Sequence, residues 1–137
     1  MVVVRTGPRE LSFYVQRRYG QQEHHLVRYT LGTDRFASVA APYRGGEMLT
    51  KPLRFAGRRL VLNFATSAPG GIRVEIQDAS GKPVPGYTLG EARETIGNEI
   101  ERVVSWKNGS DVSGLAGKSV RLRFVMKDAE LYALRFR

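Results

Sequence analysis

Hydrolysis of a glycosidic bond needs an acid and a base or nucleophile on opposite sides of it, commonly two carboxyl groups, so the acidic residues come first. Glu99 and Glu101 are two apart. On a strand they share a face, which puts both carboxylates in one solvent patch rather than across a substrate. Glu91, Glu94, Asp111, Asp128 and Glu130 fall at expected turns or caps, where acids are solvated. His24-His25 is the only imidazole pair. Neighbours on a strand point to opposite faces and chelate poorly. No Ser stands in a Gly-x-Ser-x-Gly context, and no Gly-rich phosphate loop is present. Gly45-Gly46 and Gly70-Gly71 read as turn glycines. Asn108-Gly-Ser110 fits a glycosylation sequon, but Asn-Gly is also the favoured pair of a tight turn, and a turn is expected here.

Binding chemistry has more candidates. Asp78, Asp111 and Asp128 occupy loops, and loop carboxylates with carbonyls make structural Ca²⁺ sites. No other cofactor is expected. A sugar needs an exposed aromatic face flanked by hydrogen-bond donors, because pyranose C–H faces pack on rings. Trp106, Tyr43 with Arg44, and Tyr19 with His24 fit that description, and Tyr87 would complete a concave patch with Trp106 and Tyr43. For Trp106 the core is the favoured reading, since its parity matches Ile100 and Val104 and large aromatics dominate sandwich interiors. Nucleic acid would call for arginines interleaved with aromatics in one groove. Here the arginines are spread over many strands, so no specific nucleic-acid site is expected.

The elements that would position these residues are strands. Val120, Leu122, Phe124 and Met126 alternate with Arg121, Arg123 and Lys127, the period of a half-buried strand. Asp128–Glu130 reads as a turn, and Tyr132, Leu134 and Phe136 as the return strand of a closing hairpin. The same alternation marks Leu11–Gln16, His25–Leu31, Leu60–Phe64, Ile72–Gln77 and Ile100–Trp106, with shorter strands at 36–41 and 48–53. Ser67-Ala-Pro-Gly-Gly71 and Asp78-Ala-Ser-Gly81 read as turns. Leu89–Ile96 is the one helix candidate, confined to about two turns by Gly90 and Gly97. Asp111 would cap a single turn ending at Leu115. Eight to ten short strands predict an all-β fold, an antiparallel two-sheet β-sandwich of jelly-roll-like type.

Composition sets the bounds. The 137 residues fit one domain and contain no Cys, which excludes disulfides and thiolate metal sites. No apolar run approaches the roughly 18 residues of a spanning helix, so no membrane partner is expected. Met1-Val-Val-Val-Arg5 is too short and wrongly flanked for a signal peptide, and reads as a strand fragment of something longer. The formal net charge is +9, mostly Arg. That balance suits polyanions, but charge alone argues first for a solvated Arg-rich surface.

Several runs carry a resemblance. Trp106-Lys-Asn-Gly-Ser-Asp-Val-Ser-Gly-Leu115, Ala-Gly-Lys-Ser-Val-Arg-Leu-Arg-Phe124 and Asp-Ala-Glu-Leu-Tyr-Ala-Leu-Arg-Phe136 are similar to the tail of bacterial glycoside-hydrolase-like proteins, in which a jelly-roll-like β-sandwich follows a catalytic-type β-propeller. Glu47-Met-Leu-Thr-Lys-Pro-Leu53 and Arg73–Pro83 resemble the same tail. The resemblance implies a sandwich core over residues 45–137, a lead-in from an upstream catalytic domain over residues 1–44, and catalytic carboxylates outside this chain. It makes the chain a non-catalytic accessory domain, carbohydrate-binding or structural. The alternative is a basic domain for acidic polysaccharide or nucleic acid.

Overall fold

The computed structural model describes residues 2–137. The chain is all-β, with two antiparallel sheets of three and five strands. It divides into two compact units, one ending at Ala37 and one spanning Ser38–Arg137.

The first unit is a meander of β1 (Val3–Gly7), β2 (Glu10–Arg17) and β3 (His25–Gly32). Cross-strand partners share a face. Val3, Phe13 and Tyr29 therefore line up, as do Leu11 with Leu31 and Val15 with Val27. Phe13 stacks on Tyr29 with ring centroids 5.4 Å apart. The other face holds a polar network. Arg28 donates to Ser12 Oγ at 3.0 Å and to Glu10 Oε1 at 2.7 Å, and Ser12 is fully buried.

The second unit is organised on two long strands, β6 (Leu60–Asp78) and β8 (Val120–Phe136), which pair along almost their whole length. The intervening β7 (Asn98–Val103) pairs with β6 on its far side. β4 (Val39–Ala41) and β5 (Gly46–Leu49) pair with successive parts of β8. The closing hairpin expected from the sequence is absent: β8 continues as one strand through Asp128–Glu130. The expected turn at Ser67–Gly71 likewise lies inside β6. The two sites face each other. Thr66 pairs with Ala129 and Gly71 with Lys127, so residues 67–70 of β6 stand against Asp128 alone. Extra residues on one strand bend a ladder rather than reverse it. Asp128 takes up the bend with φ of 41°, a left-handed conformation that Asp tolerates better than most residues.

The bend gives the second unit one core. Leu60, Leu62 and Phe64 before it, and Ile72, Val74 and Ile76 after it, are all fully buried in a single cluster with Leu122, Phe124, Met126 and Trp106. A lone two-stranded ladder could not exclude water from that face. The helix candidate at Leu89–Ile96 is not helical. Glu91 and Ala92 N–H turn back to the Thr88 carbonyl, but the pattern stops there: Arg93 N–H donates to Ser105, and Thr95 exchanges both bonds with Ile72 of β6. Gly90 and Gly97 leave too short a run to repay helix nucleation. Among the described residues the one helical element is a 3₁₀ turn, Ser113–Leu115. No helix of the described residues is long and apolar enough to cross a membrane.

Candidate functional site

Trp106 offers no face to a sugar. It is 1% exposed, and its Nε1–H donates to the Val74 carbonyl at 2.9 Å. Tyr87 is half-buried, with its ring edge-on to Trp106 at 5.1 Å and its hydroxyl donating to the Asp111 carbonyl at 2.8 Å. Tyr43 is exposed, with Lys127 Nζ 4.3 Å from its ring centroid, and Arg44 beside it is exposed. The concave patch of Trp106, Tyr43 and Tyr87 is thus not formed, because its central ring is core. Tyr19 packs edge-on against His24 at 5.7 Å.

The three candidate calcium ligands each have local work. Asp78 Oδ1 accepts from Ser80 Oγ at 2.6 Å, from Ser80 N–H and from Lys82 N–H. These bonds, the Ser80 hydroxyl first, hold its carboxyl below the usual range. Asp128 makes the bend in β8. Asp111 accepts from Ser113 N–H at 2.8 Å and pairs with Arg58 at 2.9 Å. Ser113 and then the Arg58 guanidinium hold the Asp111 carboxyl far below the ordinary carboxylate range. Among the described residues no group of three or more His, Asp or Glu is placed to hold a metal ion. Glu99 pairs with Arg102, and Glu101 with Arg135 and Arg137.

A cleft does form in the second unit, where Asp111 and Asn108-Gly-Ser110 meet three arginines that the sequence did not single out. Gly57 starts it. With φ of 120°, a Cβ there would stand 2.8 Å from the Arg137 nitrogen, so only glycine lets the two main chains meet. Arg58 N–H and Arg59 N–H then both donate to the Arg137 main-chain oxygen, at 2.7 and 2.8 Å, and Arg137 N–H returns a bond to Arg59 at 3.0 Å. Three arginines are pinned at one end of the β6–β8 ladder. Opposite them, Trp106 and Gly109 exchange main-chain bonds of 2.8 and 3.0 Å, which closes a tight turn over Lys107-Asn108. The turn predicted there is present, one residue earlier than Asn-Gly would centre it.

Arg58, Arg59, Arg137, Asn108, Ser110 and Asp111 line a cleft of about 470 Å³. A second hollow of about 240 Å³ adjoins it through Asn108, Gly109 and Asp111, and is walled by Pro85, Gly86 and Tyr87. The first falls within the roughly 300–1,000 Å³ of small-ligand sites. Its side-chain charge is three guanidiniums against one carboxylate. Arg58 is committed to Asp111, and its own pKa is raised by that bond. What such a lining can do is accept an anionic group and hydrogen-bond hydroxyls around it. Asp111 and Asn108-Gly-Ser110 stood out in the sequence for other roles; for the arginines the signal was Arg58-Arg59 directly after a glycine.

No family model matches this sequence, and no curated protein or solved structure matches it.

Proposed function

We propose that this chain is a non-catalytic accessory module of a larger glycoside-hydrolase-like protein and that it binds carbohydrate in the cleft between Arg58-Arg59, Arg137 and the Asn108 turn. The observation that carries this is the cleft itself: an open hollow lined by guanidinium, amide and hydroxyl groups, with Tyr87 on its flank. Its lining supplies one carboxylate, Asp111, already engaged by Ser113 and Arg58. Glycoside hydrolysis calls for two that flank the bond. A module tethered to a catalytic domain is useful at modest affinity, because tethering raises the effective concentration. Dissociation constants on the order of 10 µM to 1 mM are expected, or roughly −4 to −7 kcal/mol. Retardation in gels cast with a panel of polysaccharides tests the proposal. Asn108→Ala should weaken whatever retardation the unaltered chain shows. Release of reducing sugar by the purified chain would overturn the non-catalytic part, and absence of retardation across the panel would overturn the binding part.

A second reading is a binder of polyanions in general, favoured by the +9 formal charge. It predicts attraction to DNA and heparin alike that collapses with salt, because exposed charges are largely screened at roughly 0.5 M.

A further inference from the structure

We infer that the ligand is an acidic saccharide, and that Arg59, with Arg137 behind it, reads the anionic group on the sugar. This rests on the carbohydrate-binding reading above and adds the chemistry of the ligand.

The three arginines of the cleft are not equivalent. Arg58 is tied to Asp111 at 2.9 Å, and that carboxylate is fixed from behind by Ser113 N–H. Arg58 therefore serves as a wall of the cleft with its charge answered. Arg137 makes a long ion pair, 3.6 Å, to Glu101, whose other arginine partner is Arg135. Arg59 is exposed and has no ion pair among the described residues. Its main chain, however, is fixed by bonds in both directions with Arg137. A cation on a rigid backbone, without a side-chain counter-charge, beside a neutral amide and hydroxyl, matches a ligand that carries one anion among hydroxyl groups. A planar guanidinium takes a carboxylate or a sulfate ester by two parallel N–H bonds.

The same lining disfavours a nucleic-acid strand. A strand of bases needs a row of exposed aromatic platforms beside the cations, whereas a sugar that carries an anion can be held by guanidinium, amide and hydroxyl groups without a stacked ring. The single aromatic at the cleft, Tyr87, has its ring against Trp106 and its hydroxyl engaged by Asp111. A hollow of about 470 Å³ holds a few sugar units rather than a length of duplex.

The test compares polygalacturonate with its fully methyl-esterified form, and adds heparin and poly-glutamate, all at about 0.15 M salt, where long-range attraction between exposed charges is already short-ranged. The unaltered chain, Arg59→Gln and Arg73→Gln are run side by side. Arg73 lies exposed on β6 outside the cleft, so its loss matches the charge change without touching the site. The expected result is binding to polygalacturonate or heparin, none to the methyl ester or poly-glutamate, a loss of about tenfold in Arg59→Gln, the size of one charge-assisted bond, and less than twofold in Arg73→Gln. Preference for polygalacturonate assigns a carboxylate, and preference for heparin a sulfate. Equal binding to the methyl ester would overturn the acidic ligand while leaving the carbohydrate module standing. Equal losses in the two variants, or binding to poly-glutamate, would reduce the cleft to diffuse charge and overturn the inference. Binding to no glycan would overturn the module and the inference together.

Discussion

Gly70 lies against Asp128 so closely that a Cβ on Gly70 would overlap the Asp128 main-chain oxygen and stand 2.7 Å from that of Lys127. The bend in the β6–β8 ladder depends on this approach, since residues 67–70 must fold back over a single residue of the partner strand. Both core halves meet only because the ladder bends there.

Gly70→Ala should therefore lower stability by about 2–3 kcal/mol, the scale of forcing an atom into a packed site that cannot yield. Gly114, in the 3₁₀ turn with open space around it, is the control: Gly114→Ala should stay within about 0.5 kcal/mol. Urea unfolding of the two variants gives both numbers. Equal effects would mean that the bend tolerates a side chain.

Trp106 links the two chemistries weighed for it. As a core residue donating to Val74, it should cost about 3–5 kcal/mol when cut to Ala. Trp106→Phe keeps most of the packing and leaves the Val74 carbonyl short of a donor, a loss of about 1–3 kcal/mol. Thermal melts rank the three proteins. A melting temperature unchanged in Trp106→Ala would place the ring outside the core.

Asp111 predicts a pH signature. Its carboxyl titrates lower in the folded chain than in the unfolded one, where such a group protonates near pH 3.9 or about there. Its contribution is complete above that value and is lost as pH falls through the folded one. Asp111→Asn should melt below the unaltered chain at neutral pH, and the gap should close as pH drops below about 4. Melting curves from neutral to acid pH check this. A gap that widens in acid would reverse the sign of the linkage.

Glu75 is the buried acid of the second unit, 4% exposed. Burial pushes its carboxyl up. Bonds from Gln77 at 2.8 Å and Leu89 N–H at 3.0 Å, with Arg123 nearby, outweigh that and bring it below the ordinary range. Glu75→Ala should cost about 2–3 kcal/mol by leaving those donors without an acceptor. A double-mutant cycle with Gln77→Ala should return a coupling of about 0.5–3 kcal/mol. Strict additivity of the two losses would show that the Gln77 bond contributes nothing.

The strands were legible because alternation is a local property. Val120–Met126, Ile72–Gln77 and Leu11–Val15 each show their apolar face within a few residues, and each is a strand, although that face is buried in the first two and only half-buried in the third. The burial of Trp106 was one of two readings its parity allowed. What alternation does not encode is whether a break in it reverses the chain or bends it. Ser67–Gly71 and Asp128–Glu130 carry the Gly, Pro and Asp of ordinary turns, and a turn and a bulge ask the same of a residue: an unusual φ and no side chain in the way. The choice was made by register across the ladder, where the two breaks fall opposite each other and share one bend. The cleft was hidden for a similar reason. Arg58-Arg59 and Arg137 lie far apart in sequence, and it is main-chain hydrogen bonding, blind to side-chain type, that joins them. Local periodicity determined which residues form strands. The pairing of β6 with β8, a long-range contact no single segment specifies, decided that those strands bend around one core and bring three arginines together at its end.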